Sequence, residues 1–394
     1  MSKHEETGFT LIELLVTMAV FVLVMVAAAN VLTGMITQFK QQSKIAESNI
    51  EGIVGLEMLR QDLAHAGYGL PWSVDVDGNG VANDWSQLAT YSEAAGAGAF
   101  NDGDTVSPLP LPAGVRRAPR AIFSDDNTGM NNSDFLVIKS VNAQRTNAAE
   151  RWTILKRAPF GADNPWTWTP ASENLADADG VIVLNVNRRL LVNGTAFYTT
   201  YDNVTSLAPT DPTETYRLVY GLTPGAAGTP RMPFNRADYY ISRPADIPPR
   251  CAPSTGVLYK ATLQHATGKF TELPLLDCVV NMQVTFLVDA DEDGSIDSPP
   301  FSDSLVGLTA EQIRNRVREI RVYIVAQEGQ KDPTYDFSKG GTVEELFVTE
   351  TYGADSRDVQ GISNLNLKTL LGDPEYKYYK WKIYTIVVTP NNLR

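Results

Sequence analysis

The sequence predicts an α+β protein: one long N-terminal α-helix, transmembrane and then amphipathic, packed on a large antiparallel β-rich head domain. Three observations carry this expectation. From Phe9 through Leu32 the chain is almost wholly apolar, long enough to cross about 30 Å of hydrocarbon at ~1.5 Å per residue. Beyond it Ile36, Phe39, Ile45, Ile53, Leu56, Leu59 and Leu63 recur at roughly helical intervals among polar residues, as in a helix with one buried face. After Pro71 short β-branched and aromatic runs alternate with clusters of Gly, Pro, Asn and Asp, the texture of strands and turns.

The helix comes first. Its one charge within the apolar run is Glu13. An ionised carboxylate at a bilayer centre costs about 2.5–3.5 kcal/mol on insertion scales and less near an interface, and in a first helical turn the macrodipole favours it. The preceding residues, Met1 to Gly8, are short, polar and end in Gly. The apolar run therefore follows the expected cut site, whereas a secretory signal places its apolar region upstream of the cut. Gly34 and Gly52 are candidate kinks, each weakening a helix by about 1 kcal/mol against Ala. The helix is expected to stop near Gly67, where Ala66-Gly67-Tyr68-Gly69-Leu70-Pro71 joins a capping glycine to a breaker.

Composition narrows the function classes. The 394 residues carry 46 acidic against 33 basic side chains, a net charge of −13, with 43% hydrophobic and 20% charged residues. These values exclude wholesale disorder, collagen-like repeats and a multi-span membrane protein. The acidic balance argues against nucleic-acid binding, which needs clustered Lys and Arg, and favours cations as partners. Three His and two Cys cannot assemble a multi-His or multi-Cys zinc site. No G-x-S-x-G elbow, P-loop or strand-to-helix G-x-G-x-x-G is present, and no catalytic residue is assigned. Cys251 and Cys278 flank a strand-like segment. They read as a disulfide formed outside the cytosol or as two buried thiols.

Gly8-Phe9-Thr10-Leu11-Ile12-Glu13-Leu14-Leu15-Val16 resembles the prepilin cleavage motif of type IV pilins and type II secretion pseudopilins. The resemblance implies a pilin-like fold and a leader, residues 1–8, removed between Gly8 and Phe9 by a prepilin peptidase that also N-methylates Phe9. It implies a retained transmembrane and filament-core helix over residues 9–33, an amphipathic stem over 34–67, and a head over 68–394. Glu13 would meet the N-terminal amine of a neighbouring subunit, in keeping with the rule that a buried charge is tolerated when paired. Glu5 and Glu6 beside Lys3 depart from the usual basic leader, and with Lys40 and Lys44 on the far side the positive-inside bias is weak. The expected placement, single-pass in the inner membrane with a periplasmic head and extracellular after assembly, rests on the motif.

In the head, strands are expected at Phe135–Val141, Gly180–Val186, Tyr216–Leu222, Tyr239–Arg243, Gly256–Leu263, Val279–Val288, Ile320–Gln327, Leu346–Thr349 and Trp381–Val388. Ile320 to Ala326 alternates, predicting one buried and one wetter face. Thr309-Ala310-Glu311-Gln312 has the form of a capping box opening a short helix through Arg318. No repeat of 20–50 residues points to a solenoid or propeller. The segment from Arg60 to Tyr68, and the run from Leu275 to Phe286 leading into an acidic loop, resemble the PilW-type minor pilins. The polar insert around 75–133 carries no such resemblance.

Two loops have the spacing of an EF-hand. Asp289, Asp291, Asp293, Ser295 and Asp297 stand at its first, third, fifth, seventh and ninth positions, with Gly294 at the sixth. This pattern converges oxygens on one hard cation, here Ca2+ in a structural role. Pro300 replaces the usual twelfth-position Glu, and a solvated turn is the competing reading. Asp75, Asp77, Asn79, Val81 and Asn83 repeat the spacing with fewer charges, implying a weaker site or a plain turn.

The reading that follows is a minor pilin acting in type IV pilus assembly, in a priming or tip complex, with other minor and major pilins, the prepilin peptidase/N-methyltransferase and the inner membrane as partners and no nucleic acid. A minor pseudopilin of type II secretion and a membrane-anchored enzyme or calcium-dependent adhesin stand as alternatives. For an enzyme, Asp125-Asp126 and Asp289-Asp291 are the available acid pairs, though beside Gly and Asn such pairs make turns or metal ligands. For an adhesin, Trp72, Trp85, Trp166 and Trp168 would stack on sugars or else pack in the core.

Overall fold

The computed structural model describes residues 10–74, 85, 88, 91–95, 100–102, 118–159, 164–192, 194, 196–295, 301–340, 345–346, 365–372 and 374–393. Helix α1 (Leu11–Ala64) is a single element of 54 residues that runs through Gly34 and Gly52. It closes at His65, whose N–H bonds the Gln61 carbonyl. Gly67, at φ +78°, turns the chain and donates its N–H to Lys139 O at 3.0 Å.

The strands in chain order are β1 (Ser73–Val74), β2 (Ile122–Asp125), β3 (Phe135–Ser140), β4 (Trp152–Lys156), β5 (Gly180–Leu184), β6 (Arg189–Leu191), β7 (Thr199–Thr200) and β8 (Tyr216–Thr223). There follow β9 (Asn235–Ser242), β10 (Gly256–Leu263), β11 (Phe270–Val288), β12 (Phe301–Ser302), β13 (Val317–Glu328), β14 (Glu345–Leu346), β15 (Leu365–Asn366) and β16 (Lys380–Val388), with helices α2 (Ala310–Arg316) before β13 and α3 (Leu367–Leu371) before β16. An eight-stranded sheet has the order β16-β13-β11-β10-β9-β3-β2, with β12 beside β11. A six-stranded sheet has the order β1-β6-β5-β8-β4, with β7 beside β5. Every pairing in the larger sheet is antiparallel, as expected of the head.

The main core lies where Leu56, Leu59 and Leu63 of α1 meet Leu258, Leu276, Val284, Val322 and Ile324 of the larger sheet. The stem pattern is corrected in part. Ile36, Phe39 and Ile53 are exposed at 47%, 73% and 66%, because both Ile36 and Phe39 precede Ile45, which lies against Gly329 at the end of β13, and Ile53 lies about 100° around the helix from the face defined by Gly52, Leu56, Leu59 and Leu63. Strand β13 also departs from expectation: Ile320 to Ala326 are all buried. Its second face, with Tyr323 and Val325, packs under Leu367, Leu371, Tyr376 and Tyr379, so alternation here separates two dry layers. The capping box is present, Gln312 N–H on Thr309 Oγ1 at 3.2 Å, but the helix ends at Arg316 and Arg318 already belongs to β13.

Candidate functional site

The N-terminal half of α1 is the first functional element. Leu11–Ile36 is long and apolar enough to span a membrane, and none of it is buried against the rest of the chain. The 26 residues cover about 39 Å at ~1.5 Å per residue. Thr10 caps the helix: its hydroxyl accepts the Glu13 N–H at 3.4 Å, while Glu13 Oε2 accepts the Thr10 N–H at 3.0 Å and hydroxyl at 2.8 Å. The box satisfies helix-end donors with the span's single carboxylate. Gly8 and Phe9 lie outside the described residues.

The stem meets the head through two devices absent from the sequence reading. A Cβ on Gly55 would stand 2.3 Å from the Leu275 carbonyl oxygen, so only glycine allows this approach to β11. Two turns of helix further on, Asp62 is buried and pairs with Arg145 at 2.9 Å, with the Lys260 ammonium and with the Tyr239 hydroxyl. Burial pulls Lys260 below the usual lysine range, opposed by Asp62, and pushes the Tyr239 phenol well up. A second buried ionic network holds residues of the insert to the sheet. Glu93 meets Lys139 at 2.9 Å and Arg236 at 3.0 Å, and Asp102 meets Lys139 and Arg120. Arg236 forms a fork with Asp238 at 2.7 and 2.8 Å. The available signal was a lysine inside a mostly apolar strand, as at Lys139 and Lys260.

Cys251 and Cys278 form a disulfide with Cα atoms 4.9 Å apart, which excludes the free-thiol reading. It fastens the β9–β10 connection to β11 and closes a separation of 27 residues, worth about 3.5 kcal/mol on a chain-entropy model.

The acidic loop follows β11. Carboxylate oxygens of Asp289, Asp291 and Asp293 lie within 4.8 Å of one another. Asp289 Oδ2 accepts from Gly294 N–H at 3.2 Å and from Arg318 at 2.5 Å. These bonds, the guanidinium foremost, hold the carboxyl below its ordinary range. Ser295 donates its N–H to Asp293 Oδ1 at 2.7 Å. Asp297 lies outside the described residues, as do Asp75, Asp77, Asn79, Val81 and Asn83. The Trp residues divide: Trp85 is fully buried, Trp72 and Trp168 partly, and Trp166 is exposed.

An exposed apolar rod opened by a lone acid, on a disulfide-closed β head, is consistent with a membrane-anchored subunit of the prepilin type, and residues 4–29 match the prokaryotic N-terminal methylation motif. Residues 238–382 match the family described as type IV pilus-assembly protein W. Together the two matches support the role of a minor pilin, a structural component, in type IV pilus assembly. Among solved structures it is similar to a type IV-like pilin, TTHA1219, from Thermus thermophilus, at 13% identity over 42% of this chain and 70% of that one. The TM-score is 0.21, too low to carry an argument. No curated protein matches the chain.

Proposed function

We propose that this minor pilin enters a priming or tip complex by lateral docking of its N-terminal helix among those of other minor and major pilins. Before that it sits in the inner membrane, head on the periplasmic side, after a prepilin peptidase has cut between Gly8 and Phe9 and methylated Phe9. The observation that carries this is the fully exposed span with its single acid. An apolar rod of that length needs lipid or sister helices around it. A carboxylate in such surroundings needs a cation. Cleavage would make Phe9 the first residue and Glu13 the fifth, so the amine of a neighbouring copy or pilin supplies that cation, and Glu13 would exchange its capping bond for it. The PilW match favours the pilus over type II secretion.

The test is Glu13→Ala in the full precursor. Intact mass is expected to show normal leader removal and one added methyl group, while the amount recovered in sheared pili or minor-pilin complexes falls several-fold. Incorporation at the wild-type level would discard the pairing role; a mature N-terminus other than Phe9 would discard the processing.

A further inference from the structure

We propose that the loop after β11 binds one calcium ion through the carboxylates of Asp289, Asp291 and Asp293 and the main-chain carbonyl of Ser295. Two oxygens held by one calcium at 2.3–2.6 Å are at most about 5 Å apart, and the three carboxylates already meet that limit at 4.8 Å.

A second observation distinguishes this cluster from an ordinary acidic turn. Asp289 is fully buried, yet its Oδ1 has no hydrogen-bond partner. A buried anionic oxygen without a partner is costly. Its sister oxygen already takes the Arg318 and Gly294 donors, so Oδ1 is the atom left for a metal.

Charge selects the valence. Glu292 is neutralised by Arg316 at 3.0 Å, and Arg318 offsets one of the three remaining carboxylates. The residual charge of −2 matches one divalent ion. The donors are all hard oxygens on a short irregular loop, which suits calcium with its variable coordination better than magnesium with its strict octahedron. Gly294 holds φ +91° at the sixth position with nothing near its Cβ site, so it is the sharp turn of the loop, not crowding, that requires glycine there. Pro300 at the twelfth position supplies no bidentate carboxylate. The affinity therefore belongs with extracellular modules, a Kd of about 10⁻⁴–10⁻³ M. Bound calcium would fasten the end of β11 to the start of β13, where Asp289 N–H already meets the Arg316 carbonyl at 2.9 Å.

The experiment is calcium titration of the full chain in detergent after chelator stripping, by calorimetry and thermal melting. One ion per chain and a melting temperature that rises with calcium are expected. Asp291 and Asp293 are exposed, so Asp291→Asn and Asp293→Asn should fold normally, each weakening binding roughly tenfold or more, and the double variant should lose the thermal shift. The proposal is overturned by an unchanged melt with no binding heat at millimolar calcium, by an undiminished response in the double variant, or by equal stabilisation from magnesium or from sodium chloride at matched ionic strength.

Discussion

His265 and Asp134 are buried groups whose surroundings move their protons in opposite directions. The His265 ring accepts the Arg231 N–H at Nδ1, 3.0 Å away, and stands 2.7 Å from Asn235 Oδ1 through Nε2, an arrangement that suits the neutral ring protonated at Nε2. Burial, with the Arg231 charge adding to it, pulls the imidazole down to about 4. Asp134 accepts N–H groups from Asn127 at 3.0 Å and Val284 at 2.6 Å. Burial nonetheless pushes its carboxyl up to about 7, with Asp126 adding to the rise. For His265 the unfolded chain takes up the proton first, so its contribution to stability is lost as pH falls from ~6.5 to ~4. For Asp134 the folded chain holds the proton longer, so its contribution is lost as pH rises from ~4 to ~7. Each is worth on the order of 3–4 kcal/mol across its window, and between pH 4 and 6.5 the two oppose. Relative to wild type, His265→Gln should show stability falling with rising pH, and Asp134→Asn stability rising with it. Denaturant unfolding at half-unit pH steps reads both slopes; a wild-type slope in either variant would remove that residue from the account.

At the scale of elements, two glycines of α1 should answer the same substitution differently. Gly55→Ala drives a methyl into the Leu275 carbonyl at 2.3 Å and forces helix and sheet apart, an overpacking cost of about 1–3 kcal/mol. Gly34→Ala meets nothing within 4 Å and should leave the melting of the head unchanged. Equal melting temperatures for wild type and Gly55→Ala would mean that the spacing between α1 and β11 is not set by this contact. The contrast marks what was legible in the chain. Local patterns found α1, the capping box at Thr309 and Gly256–Leu263 with both its ends, because helix periodicity, caps and strand composition are written within a few residues. The wetter face expected of β13 was wrong because its cover comes from Leu367 to Tyr379. The partners of Asp62 lie 83, 177 and 198 residues away, out of reach of any local pattern. Strand β4 went unseen for a similar reason: its half-buried alternation is too short to stand out, and pairing with β8 fixes it.

Taken as a whole, the molecule separates anchoring from folding along one continuous helix. From Gly52 onward α1 contributes to the core through Leu56, Leu59 and Leu63, to the sheet contact through Gly55 and to a buried ion pair through Asp62. Before Thr37 it contributes nothing to the head, since no part of Leu11–Ile36 is buried. Burial of apolar surface is the main term holding a head of this kind together, so removing a segment that buries none should leave that term intact. A chain beginning at Thr37 is therefore expected to melt at the temperature of the full protein in the same detergent, to stay monodisperse without detergent, and to lose vesicle association. The shortened chain keeps a net charge of −11, since residues 1–36 hold one Lys and three Glu of the full chain's −13, and this assists the second outcome by keeping like molecules apart. A lower melting temperature in the shortened chain would show that the span supports the head directly, and the division of labour within α1 would have to be abandoned.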